Sequence, residues 1–236
     1  MSKELLEAEY KKFFKKFNID DTSGVLRDHP TLRFATYPYI GSKYFDAKTK
    51  ILFIGMDIGI DEKHNENRYQ DFEDRNNAIE QPSGFNPHIA GTYCSALYLL
   101  REQNSWEDLW NEFSRYPTYM QATKEPLHKD GENPLAFVSL TNYCKFVIKD
   151  KQVRKSDLDS ISEAKEAQES LLLKEIEILK PDIVLFQGRT LPYAKITRKI
   201  TDKKIEIIRA YHPSWTYGNE MFKPQNYVDK FEYIKD

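Results

Sequence analysis

SISEAKEAQESLLLKEIEILKPDIVLFQG, residues 160–188, decides how the chain folds. Ile161, Ala164, Leu171, Leu172, Ile176 and Leu179 fall on one face of a helix, and Pro181 cannot continue that helix. Asp182-Ile183-Val184-Leu185-Phe186 then forms a continuous apolar run closed by Gly188, which reads as a strand covered on both faces. Outward from there, a helix is expected around 190–200. A strand over Lys204–Ala210 follows, running directly into His212-Pro213-Ser214. Toward the N-terminus, Lys50-Ile51-Leu52-Phe53-Ile54-Gly55 is another buried strand, and 134–141 (PLAFVSLT) is a further one. Strands alternating with helices define an α/β protein, here a three-layer αβα sandwich around a central, mainly parallel sheet of four strands.

The rest of the chain attaches to this frame. Leu5, Leu6, Tyr10, Phe13, Phe14 and Phe17 recur at helical spacing over residues 2–17, with Lys11, Lys12, Lys15 and Lys16 on the wet side. This helix is expected to pack on the core of a single domain spanning 1–236. Ser23-Gly24 and His29-Pro30 read as loop signals. Residues 60–88 read as one long polar loop, of the kind usually functional or disordered. Residues 91–103 look helical, and 105–113 begin a short helix at a Ser cap. No internal repeat is evident.

Composition narrows the classes. The 236 residues are 40% hydrophobic and 31% charged, with mean hydropathy −0.69. No apolar run approaches the roughly 18 residues of a membrane span, and the charged N-terminus does not read as a secretory signal. Cys94 and Cys144 are the only cysteines, too few for a disulfide scaffold or a four-thiolate iron–sulfur cluster, so a reducing cytoplasm is the expected address. Net charge is −2, which argues against a chain that coats nucleic acid. The charge is uneven, though: residues 56–80 carry eight acidic and three basic side chains, residues 141–155 one and five, and residues 189–209 two and seven.

In parallel sheets, ligands bind beyond the carboxyl ends of the strands. Gly55-Met56-Asp57-Ile58-Gly59, Thr141-Asn142 and His212-Pro213-Ser214 all stand there, so an acid, an amide and an imidazole converge on one crevice. Asp57, between two glycines, fits either orientation of a water and stabilisation of positive charge, or simple helix capping. Asn142 offers one acceptor and two donors, enough to read an imide edge in two directions, or it serves an Asx-turn. Pro213 holds His212 at a defined angle, and a structural histidine is an even alternative. Ser214 can cap the next turn or donate to a phosphate. His64, His88 and His128 lie in polar segments without metal-ligand spacing and are expected at the surface. Cys144 reads as a buried thiol. Lys195, Arg198, Lys199, Lys203 and Lys204 form either a phosphate contact or a solvated face.

The ordered set Gly55-Met56-Asp57-Ile58-Gly59, Phe85, Thr141-Asn142-Tyr143-Cys144, Gly188-Arg189 and His212-Pro213-Ser214 resembles the uracil-DNA glycosylase superfamily. The motif style is nearest its single-strand-selective monofunctional branch, and the similarity spans about residues 48 to 218. The resemblance implies an enzyme that flips a nucleotide from the DNA stack and cleaves its N-glycosidic bond, without cofactor or metal. It implies Asp57 and His212 as catalytic groups, the first positioning water and the second stabilising charge on the leaving base. Such preorganised stabilisation is commonly worth about 2.7–4 kcal/mol per donor. Phe85 would stack on the base, Asn142 would read its Watson–Crick edge, and Met56 would belong to the base pocket. Gly188, Arg189, Ser214 and Trp215 would meet the DNA strand, single or double, and the protein would act as a monomer.

Two positions depart from the pattern. Ile58 stands where the family usually has proline, and Trp215 replaces the usual proline after His-Pro-Ser. Trp215 either wedges into the base stack or packs internally with Tyr217. Two rival readings follow: a member that binds nucleic acid or a nucleobase without cleavage, and an enzyme acting on free nucleosides or nucleotides.

Overall fold

The computed structural model describes residues 2–56, 68–80, 87–100, 133–148, 162–188, 193–200, 204–212 and 230–234. The helices among them are α1 (Ser2–Lys16), α2 (Phe72–Glu80), α3 (Pro87–Leu100), α4 (Ser162–Leu179) and α5 (Tyr193–Thr197). The strands are β1 (Val25–Leu26), β2 (His29–Phe34), β3 (Tyr39–Ile40), β4 (Ile51–Gly55), β5 (Val138–Asn142), β6 (Phe146–Ile148), β7 (Ile183–Gln187), β8 (Glu206–Ala210) and β9 (Glu232–Ile234). The expected short helix at 105–113 lies outside the described residues.

The main sheet runs β3-β5-β4-β7-β8-β9. Its four inner strands are mutually parallel and are the four that the apolar runs predict. The sheet nevertheless has six strands, not four, because β3 and β9 add short antiparallel edges. Two- and three-residue strands carry too little pattern to be read from sequence. Residues 134–137 are a 3-10 turn, opened by the Asn133 side chain accepting from Leu135 N–H, so β5 begins only at Val138.

Side chains alternate across a strand, and the two faces separate cleanly. Ile51, Phe53, Val138, Leu140, Ile183, Leu185, Ile208 and Ala210 point to one side, where Ile89, Tyr93 and Leu97 of α3 cover them. Leu52, Ile54, Val184, Phe186 and Ile207 point to the other, against Leu172, Ile176 and Leu179 of α4 and Ile196 of α5. Helix α4 ends where Lys180 takes a left-handed φ of 48° and Pro181 blocks continuation. Asp182 then pins the adjacent strand start, its carboxylate accepting from Lys50 N–H at 2.8 Å.

Three segments differ from the sequence expectation. His29-Pro30, expected as a loop signal, instead opens the strand His29–Phe34, the central strand of a second sheet, β1-β2-β6, with Leu32 and Phe34 inward. An aromatic core of Tyr10, Phe13, Phe14, Phe34 and Phe146, together with Ala167 and Leu171, joins this sheet and α1 to α4. The 60–88 stretch, expected to lack regular structure, contains α2 and the first two residues of α3. Helix α2 buries Phe72, Arg75, Ala78 and Ile79, so a charged residue occupies one position of its inner face.

Candidate functional site

Register sets the site. Gly55 pairs with Asn142 across β4 and β5, and Gln187 pairs with Ala210 across β7 and β8. Gly55, Asn142 and Gln187 continue the face that packs on α3, so what they carry meets the start of that helix at the carboxyl end of the sheet. The turn after β5 is tied back to β4, with Tyr143 N–H donating to the Gly55 carbonyl and Cys144 N–H to the Met56 carbonyl, both at 2.8 Å. The Cys144 and Met56 sulfurs lie 3.9 Å apart. Gly188, with φ of 149°, turns the chain out of β7 while its N–H donates to Ala210 O at 3.0 Å.

Asn142 is 2% exposed, and among the described residues neither its Oδ1 nor its Nδ2 has a hydrogen-bond partner. Each unsatisfied buried polar group costs about 1–3 kcal/mol. The approach of this amide requires glycine at 55: a Cβ there would stand 2.8 Å from Asn142 Oδ1 and 3.8 Å from His88 Nε2.

His88 is the residue the sequence reading missed. Expected at the surface, it is half-buried on α3 and faces the carboxyl end of the sheet. Its Nε2 is 3.1 Å from Gln187 Oε1, and its ring stacks on His212 with centroids 5.2 Å apart and planes inclined by 21°. Gln187 Nε2 donates to Thr92 Oγ1 at 2.9 Å, and Thr92 donates to the His88 carbonyl at 2.9 Å. Because the Thr92 proton is committed to that carbonyl, Gln187 must present its amide hydrogen to Thr92 and its oxygen to His88. His88 therefore carries a proton on Nε2. Burial lowers its pKa to about 3, with His212 and the buried Arg75 adding like-charge opposition. His212 exposes an edge at the mouth, and its pKa is also lowered by desolvation. The sequence around His88 carries no local signal for this, because its side-chain partners Gln187 and His212 lie far along the chain.

Behind the site, on the α4 face, Lys145 and Glu175 form a buried ion pair, with Nζ 2.7 and 2.8 Å from the two carboxylate oxygens. Thr141 accepts from Lys145 at 2.8 Å and donates to Glu175 at 2.8 Å, and Tyr10 donates to Glu175. Desolvation lowers the Lys145 pKa and raises that of Tyr10, opposed at Lys145 by the Glu175 charge. Gln168 Oε1 accepts from the Lys145 and Phe146 N–H groups. Glu169, buried in the same helix, accepts from Tyr143 Oη at 2.8 Å and pairs with Lys195 and Lys199 at 2.7 and 3.0 Å. Burial opposes its ionisation, but these partners more than compensate and its pKa falls. Lys195 and Lys199 are thus half-exposed members of an ion-pair cluster rather than a merely solvated face.

Of the expected site residues, the fold brings Asn142, His212, Met56 and Gly188 to the carboxyl edge of the sheet. Asp57, Ile58, Gly59, Phe85, Arg189, Pro213, Ser214, Trp215 and Tyr217 lie outside the described residues, as do His64, His128 and Lys203. Among the described residues no group of three or more His, Cys, Asp or Glu is placed to hold a metal ion, and no helix is long and apolar enough to cross a membrane.

A mainly parallel sheet between helices, with Asn142, Gln187, His88 and His212 at its carboxyl edge, defines an α/β protein of the kind in which ligands bind at that edge. The family model described as the uracil DNA glycosylase superfamily matches residues 42–234, and the chain belongs to that superfamily. No curated protein matches the chain closely enough to be named as a relative.

Proposed function

We propose that this chain is a monofunctional DNA glycosylase that hydrolyses the N-glycosidic bond of uracil or a related damaged base in DNA. One observation carries the reading beyond family membership: the buried Asn142 amide, with neither polar atom satisfied among the described residues, at the strand end that faces the crevice. Uracil presents an imide edge with an acceptor oxygen beside an N–H donor, and Asn142 supplies the complementary pair. A base flipped from the stack would meet that amide at the carboxyl end of the sheet.

The chemistry follows from the charges. As the sugar–base bond breaks, electrons pass to the base and positive charge builds on the sugar. His212 donates to the base oxygen where negative charge collects. Asp57 orients the water that attacks the anomeric carbon and offsets the sugar's positive charge. Phe85 stacks on the base and Met56 lines the pocket. Gly188, Arg189, Ser214 and Trp215 hold the DNA strand on either side. The enzyme works as a monomer without cofactor.

The test is excision from end-labelled oligonucleotides with one uracil, single- and double-stranded, followed by alkali. Wild-type protein is expected to leave an alkali-labile site and Asp57→Asn to lose it. Salt-sensitive binding without cleavage, from folded protein, would instead establish a superfamily member that binds nucleic acid or a nucleobase.

A further inference from the structure

We infer that Thr92, Gln187 and His88 form a positioning relay that sets the plane of the His212 imidazole, so that the site works with two histidines rather than one. The inference rests on the glycosylase reading for the role of His212, but its geometry stands separately. Each link is fixed by the one before it. Thr92 is anchored to its own helix through the His88 carbonyl, which commits its proton and makes its oxygen an acceptor. Gln187, fully buried at the end of β7, donates to that oxygen and so turns its own carbonyl toward His88. His88 Nε2–H closes the chain, locking one imidazole between α3 and the sheet edge.

The locked ring then acts on its neighbour. His212 follows the end of β8 and is exposed, and an exposed side chain ordinarily samples several rotamers whose loss has to be compensated. A flat, immobile platform 5.2 Å away and nearly parallel restricts that freedom. Gly55 completes the arrangement, since the point where its missing Cβ would stand lies within 4 Å of both Asn142 Oδ1 and His88 Nε2. One glycine therefore lets the base-reading amide and the platform histidine approach the same space. A misplacement of about 1 Å in a reacting group can cost on the order of 100-fold in rate, so fixing the His212 plane has a direct catalytic consequence.

Two readouts test this, the first without any variant. Nitrogen-correlated NMR of the histidine side chains in the intact wild-type protein reports the His88 tautomer. Protonation on Nε2 is expected, and protonation on Nδ1 would overturn the relay. The second uses Gln187→Met, which keeps the length but removes both polar links, and His88→Phe, which keeps a flat ring but no donor. Gln187→Met is expected to shift and broaden the His212 ring signals and to lower kcat about tenfold or more, with KM held within about twofold. His88→Phe should show a smaller loss. Unchanged His212 signals and rate in folded Gln187→Met would refute the proposal. Because the NMR readouts need no catalysis, failure of the relay is distinguishable from failure of the glycosylase reading.

Discussion

Replacing Asn142 by leucine should make the protein more stable. The side chain is 2% exposed, and its two polar atoms have no hydrogen-bond partner among the described residues. Keeping such a group dry costs about 1–3 kcal/mol, and an apolar chain of nearly the same shape removes that cost without opening a cavity. Leucine matches asparagine in side-chain heavy atoms, and glycine at 55 sets no side chain against it. The expected gain is about 2 kcal/mol at most, or a Tm increase of about 4–8 °C for a chain of this length. Urea denaturation with a shared m-value would measure it, and melting with and without free uracil would add the ligand side. Uracil should raise the Tm of the wild type and leave the variant unmoved. A loss of more than about 1 kcal/mol in Asn142→Leu would show that the amide is structurally satisfied, and the argument for a base-reading residue would collapse.

Three other outcomes are expected. Lys145→Met leaves Glu175 buried without its cation and should cost about 3–5 kcal/mol in urea denaturation, whereas Lys145→Met with Glu175→Leu should recover part of that; a single-variant cost under about 1 kcal/mol would contradict the buried pair. The His88 pKa is depressed in the fold to about 3, so below pH 6.5 the unfolded chain takes up a proton that the folded protein refuses. Stability should therefore fall by up to about 1.4 kcal/mol per pH unit as pH drops from 6.5 to about 5.5, above the range where carboxylates contribute, and His88→Gln should flatten that slope. Gly55→Ala places a Cβ 2.8 Å from a movable side-chain atom, so stability should change by no more than about 1 kcal/mol while excision falls on the order of 100-fold; equal rates would show that the approach of Asn142 to Gly55 is not used.

The fold was legible where burial made the pattern continuous. Ile51–Gly55, Val138–Asn142, Ile183–Gln187 and Glu206–Ala210 are inner parallel strands, and their apolar runs announce burial on both faces. The edges were silent because β3 and β9 are too short to alternate. Helix α2 was hidden by Arg75, a buried cation on its inner face that makes FEDRNNAIE read as polar. Strand β2 was hidden by a proline at its second position and by the exposure of its first three residues. At the site, Asn142 and His212 were legible because strand ends mark the crevice before any contact is known. His88 was not, since its role depends on Gln187, 99 residues away along the chain, and on a stacking partner that only the closed sheet supplies. The ion pair of Lys145 and Glu175 was equally hidden, because helix periodicity says which face of α4 is buried but not which charges find each other there.

The account stands or falls on whether Asn142 reads a flipped base. The decisive measurement is single-turnover excision, at saturating enzyme, of uracil from one labelled oligonucleotide by wild type and Asn142→Leu. Wild type should release the base, and the variant should be slowed on the order of 100-fold or more while melting at the same or higher temperature. Equal excision by the two proteins, or none by either while both are folded, would contradict it.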